Sequence, residues 1–183
     1  MEKLHVGVDS WIIQDGNYPD FHVGQVVKFA LEFHPQMLKP VAAGSFQTTK
    51  LTGSTYRICA KVAFTAPDVW VLDFGFMAYQ NQPAPSGLKA GDWIVAQIYL
   101  GIDPFFYFEK LHAIPGIPLL RYELRIRRIL LETTPWRIAK DDNGQETFLR
   151  DEGSQSFRQV AETNAWEDDD GRAHYVLECQ PMA

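Results

Sequence analysis

Apolar and polar residues alternate at period two through much of the chain, and this limits the fold more than any other feature. In GQVVKFALEFHP, Val27, Phe29, Leu31 and Phe33 alternate with Val26, Lys28, Ala30 and Glu32. GDWIVAQIYLG sets Ile94, Ala96, Ile98 and Leu100 against Trp93, Val95, Gln97 and Tyr99. YRICAKVAF puts Ile58, Ala60, Val62 and Phe64 on one face, and LLRYELRIRRILL does the same with Leu120, Tyr122, Leu124 and Ile126. Successive side chains of a strand point to opposite faces, so each segment reads as a strand with one buried and one wet face, as in antiparallel sheets.

The turn chemistry agrees. Asn143-Gly144 separates WRIAK from ETFLR, and Asp170-Gly171 separates NAWE from AHYVLEC, so both read as hairpin turns. HPQMLKPVAAGS, QNQPAPSG and IPGIP read as loops. In SWIIQDGNYPDFHVG, Trp11, Ile12 and Ile13 read as a short buried strand, followed by a turn with positive φ at Gly16 or Asn17. SQSFRQVAETNAW fits either a short helix or a strand. FHVGQVVKFALEFHP and LKAGDWIVAQIYLGIDP look alike, with Gly24 and Gly91 in matching places before an alternating strand. A need for sharp bends before long strands explains the likeness without a duplication. The expectation is a single all-β domain over 1–183, an antiparallel barrel or strongly curled sheet with few short helices.

DPFFYFEKL sets Phe105, Phe106, Tyr107 and Phe108 in a row. As a strand, this segment would send two rings to each side and pair with 119–126 after the HAIPGIP turn. Half the cluster would join the core, and the rest would form an outer platform with Arg121, Arg125 and Arg127 and with Trp93 and Tyr99 on a neighbouring strand. That face of Trp93, Tyr99, Tyr107, Arg121, Arg125 and Arg127 is the candidate binding surface. Rings beside arginines on a sheet suit stacked bases and phosphates. That face makes single-stranded nucleic acid a ligand class to consider, and LKAGDW resembles the Gly-Asp lead-in of OB-like barrels at the level of the fold.

Composition narrows the rest. The chain has 183 residues, 46% hydrophobic and 22% charged, with a net charge of −6. A core is expected, and general affinity for polyanions is disfavoured. No apolar run is long enough for a membrane helix, and the N-terminus lacks a signal-peptide pattern. Cys59 and Cys179 are too few for a disulfide framework, so a cytoplasmic protein with reduced thiols is expected.

Chemical motifs are lacking. Asp73-Phe74-Gly75 matches a kinase tripeptide in letters only, and no nucleophile elbow, P-loop or dinucleotide fingerprint occurs. His5, His22, His34, His112 and His174 are dispersed without metal-ligand spacing. DDNGQE is too short for a calcium loop, and EDDD at 167–170 reads as a solvated acidic tip. No catalytic residue, metal or cofactor is assigned. The leading expectation is a non-enzymatic module that recognises another protein. The alternatives are an OB-like nucleic-acid binder and a small-ligand or enzymatic barrel with a pocket lined by Phe29, Phe33, Phe74 and Phe76.

Overall fold

The four alternating segments form the four longest strands of the protein, seen in a computed structural model that describes residues 3–140, 144–151 and 155–182. In chain order the elements are β1 (Leu4–Asp9), α1 (Ser10–Gln14), β2 (Val26–Val41), β3 (Gln47–Lys50), β4 (Thr55–Ala66), β5 (Val69–Asp73) and β6 (Met77–Gln80). There follow β7 (Trp93–Ile102), α2 (Phe106–Glu109), β8 (Arg121–Glu132), β9 (Trp136–Lys140), β10 (Glu146–Arg150), β11 (Phe157–Val160) and β12 (His174–Pro181). Ten strands make one strongly curled sheet, and β9 and β10 form a separate hairpin. The fold is all-β with few short helices.

Strand pairing closes this sheet on itself twice. One ring runs β8–β12–β1–β7–β2, the other β7–β2–β6–β5–β4, and the antiparallel pair β2–β7 belongs to both. Each ring includes one parallel contact a single residue pair long, Gly7 with Gly101 and Glu32 with Tyr79. Because Glu32 also faces Gly101 across β2–β7, the row Gly7–Gly101–Glu32–Tyr79 is the seam between the rings. The look-alike segments of the sequence are this shared pair, and Gly24 and Gly91 both take positive φ just before it.

Parity places the core. Phe29, Leu31, Phe33, Ile94, Ile98, Leu100, Leu124 and Ile126 are fully buried in one cluster. Phe64 departs from its expected face. A register shift between Val62 and Phe64 turns Phe64 toward Val71, into a second cluster on the outer side of the sheet. Leu120 also belongs to that second cluster.

The aromatic row supplies the cover of the second cluster, and it is not a strand. Phe105 has φ of 84°, then Phe106–Glu109 turns into α2 and Leu111–Ala113 into a 3-10 helix. One local and two long-range polar contacts decide this. The buried Asp103 carboxylate accepts from the Tyr107 amide at 3.2 Å and from the Tyr79 hydroxyl, and the Tyr107 hydroxyl accepts from Leu120 N–H at 3.2 Å.

Three further expectations are corrected. Ser10–Gln14 is helical rather than a strand, with Ile12 and Ile13 buried and Trp11 outside, while Gly16 does supply the positive φ. HPQMLKPV is not a loop: β2 runs through both prolines, with a bulge between Pro35 and Met37, and β7 flanks it there on one side only. An open edge tolerates the missing proline N–H. Asp168–Gly171 is a 3-10 turn rather than a hairpin, and Asp169 and Asp170 both adopt left-handed φ. Residues 157–160 are a strand. Strands β9 and β10 pair as expected, but Asn143 of their turn lies outside the described residues.

Candidate functional site

Five polar side chains converge on one face of β12, β1, β7 and β2. Asp9 and His174 are direct cross-strand partners, and so are Tyr99 and His34. Glu32 lies two residues before His34 on β2, on the same face, and Gly7 and Gly101 stand two residues from Asp9 and Tyr99. The two glycines make the site. The Tyr99 ring lies across them, so that a Cβ at Gly7 would meet the phenol oxygen at 2.0 Å and one at Gly101 would meet the ring at 3.1 Å.

Tyr99 thereby stands between two imidazoles, its ring centre 5.9 Å from His34 and 5.8 Å from His174. Each imidazole has a carboxylate. Asp9 Oδ1 is 2.8 Å from His174 Nδ1, and Glu32 Oε2 is 3.6 Å from His34 Nε2. Burial pushes the Asp9 carboxyl up, but the hydrogen bond and charge of His174 outweigh it and hold Asp9 below its usual range. Contact with Glu32 raises His34 above its usual value against the opposing effect of burial. Burial, reinforced by the Asp9 charge, raises the Tyr99 phenol well above its normal range and keeps it neutral.

Two cavities meet at this cluster and share Asp9 and Tyr99. The smaller, about 200 Å³, contains Glu32 and His34 among apolar walls from Trp11, Ile12, Pro104 and Phe106. The larger, about 450 Å³, contains His174 and continues past Trp136, Arg137, Leu149 and Arg150 of the β9–β10 hairpin to Arg172. The hairpin is fastened by Asp169, which accepts from Trp136 Nε1 at 2.9 Å and pairs with Arg150 at 2.5 Å. The acidic turn is therefore a fastening point, not a free solvated tip. Two guanidinium groups lie against the Trp136 ring, Arg150 at 4.2 Å and Arg172 at 5.5 Å from its centre.

The residues singled out by sequence are spread over the molecule. Tyr107 is only 5% exposed, beneath Phe108. Arg121 stacks on Phe108 with its guanidinium carbon 6.0 Å from the ring centre, so one arginine does meet the aromatic row. Arg125 donates to the Gly24 carbonyl at 3.2 Å, and Arg127 is the extra residue of a β8 bulge opposite Glu178–Cys179. Trp93 packs on Phe46 at the start of β7, roughly 20 Å along the strand from Tyr99. Of the six, only Tyr99 belongs to the cluster. Phe29, Phe33 and Phe74 are solid core, and none of them, nor Phe76, lines either cavity. Asp9, Glu32, His34 and His174 carry no motif. The legible signal was glycine inside strands beside polar residues of the same parity, at Gly7/Asp9 and Tyr99/Gly101.

Among the described residues no three His, Cys, Asp or Glu side chains are placed to hold a metal ion, and no helix is long and apolar enough to cross a membrane. Comparison of the chain with known families, curated proteins and solved structures returned no match.

Proposed function

We propose that the cleft binds a small organic molecule and transfers a proton on it, with His174 as the general base and acid. The Asp9–His174 pair carries this reading. A carboxylate on Nδ1 fixes the tautomer and leaves Nε2, which has no protein partner among the described residues, free to accept a proton. Asp9 is a positioning residue. His34, favoured as the cation by Glu32, stabilises negative charge that develops on the ligand, and the ring of neutral Tyr99 separates the two imidazoles with its hydroxyl over Gly7. The two cysteines are free, in keeping with work in the cytoplasm.

p-Nitrophenyl acetate tests this reading because it reports an activated imidazole whatever the natural ligand is. Turnover is expected to fall about a hundredfold in His174→Gln and less in Asp9→Asn. Equal rates in wild type and His174→Gln would reject the proposal.

A protein partner is the second reading, favoured by a separate groove of about 470 Å³ across β2, β7 and β4. Met37 (69% exposed) and Val95 line it with Leu38, Lys39 and Arg57. Met37→Glu should abolish concentration-dependent association in light scattering if the groove is an interface between copies. A monodisperse monomer at high concentration would remove that form of the reading.

A further inference from the structure

We infer that the groove across β2, β7 and β4 takes an acidic segment of a different protein, its carboxylates on Lys39 and Arg57 and its apolar side chains between Met37 and Val95. This rests on the protein-partner reading of the groove and gives the partner's chemistry.

Strand register builds the surface. Met37, Gln97 and Arg57 stand opposite one another in one row across the three strands, and Lys39 stands opposite Val95 in the next. Residues of equal parity share a face, so all five side chains lie on one side of the sheet. Lys39 and Arg57 are exposed and flank the exposed Val95. Neither has an ion pair or hydrogen bond among the described residues. By contrast, Lys3 and Arg128 both reach Glu178, and Lys28 reaches Glu123.

Among the described residues no carboxylate lines the groove. Lys61 extends the positive face past Cys59. The first acidic groups in that direction are Asp73, opposite Lys61, and Asp92, and they accept from the Gly75 and Lys89 amides. In a chain of net charge −6 the groove is therefore a local positive surface, which attracts and orients an acidic partner. Met37, 69% exposed, adds a thioether that adapts to apolar side chains of different shape.

A second copy does not suit this surface. A two-fold contact through the groove sets two positive patches against each other. Strand addition does not suit it either, because Pro35 and Pro40 remove amide donors from the stretch of β2 that only β7 flanks.

Fluorescence anisotropy tests this with rhodamine-labelled Asp-Leu-Glu-Phe-Asp-Leu, its amide counterpart Asn-Leu-Gln-Phe-Asn-Leu and a thymidine oligonucleotide. The acidic peptide is expected to bind with a Kd on the order of 100 µM, and the amide peptide about tenfold more weakly. Lys39→Gln and Arg57→Gln should each weaken the acidic peptide several-fold and the double variant further, while Arg121→Gln on β8 leaves it unchanged. Added salt should weaken it too. Equal binding of the two peptides, or of the acidic peptide to wild type and double variant, overturns the inference. Equal binding of both peptides that is lost in Met37→Glu leaves the protein-partner reading standing. Failure of both peptides to bind at about 1 mM removes the two together. Tighter binding of the oligonucleotide than of the acidic peptide assigns nucleic acid to the groove and also overturns the inference.

Discussion

The phenol of Tyr99 occupies the space that a side chain at Gly7 would take, with 2.0 Å between its oxygen and a Cβ built there. This contact sits at the single residue pair that joins β1 to β7, so a glycine requirement, a ring closure and the candidate site coincide. Gly7→Ala should therefore cost about 1–3 kcal/mol in chemical denaturation by forcing the ring aside. In a Tyr99→Ala background most of that cost should vanish, because the two nearest clashing atoms are gone and only Ser54 Oγ, at 2.8 Å, remains. Equal costs in both backgrounds would mean that the strand backbone, not the ring, imposes the glycine.

Parity on β2 has a simple consequence. Phe29 is fully buried, whereas Lys28 is half-exposed in an ion pair with Glu123 at 3.4 Å. Phe29→Ala should cost about 3–5 kcal/mol and Lys28→Ala less than about 1 kcal/mol. Equal small losses would show the faces to be reversed.

The alternating strands were legible because a period-two pattern is local and survives without knowledge of partners. The row 105–111 was not. Its rings alternate as a strand's do, but Asp103 and Tyr79, brought close only by the folded sheet, supply the contacts that turn the chain into α2. The site was hidden for the same reason: Asp9, Glu32, His34, Tyr99 and His174 come from four strands, and cross-strand register alone assembles them. The sequence pattern points to arginine neighbours for Tyr99, whose ring stands instead between histidines.

Stability should depend on pH through Asp103. Burial, only partly offset by the Tyr79 hydrogen bond, raises its carboxyl from 3.8 to about 6. The native state then holds the proton more tightly than the unfolded chain. Its contribution is fully present below about pH 4, declines as pH rises through about 6, and is flat above. The span is on the order of 3 kcal/mol. His34, also raised, acts in the same direction. Urea denaturation of Asp103→Asn across this window should show a shallower slope than wild type. An unchanged slope would remove Asp103 as its source.

Asp169 fastens the hairpin by accepting from the Trp136 indole and pairing with Arg150. Asp169→Ala should speed cleavage of the 136–150 hairpin in limited proteolysis several-fold, with little change in the melting of the main sheet. Cleavage at the wild-type rate would show that the hairpin is held by other contacts.

The pairing of Asp9 with His174 can be read without any ligand, from the long-range proton–nitrogen spectrum of the His174 ring. Where the ring is neutral, the expected result is a proton on Nδ1 and a bare Nε2, and loss of that tautomer preference in Asp9→Asn. A ring protonated at Nε2, or a tautomer indifferent to Asp9→Asn, would contradict the role of His174 as an oriented base.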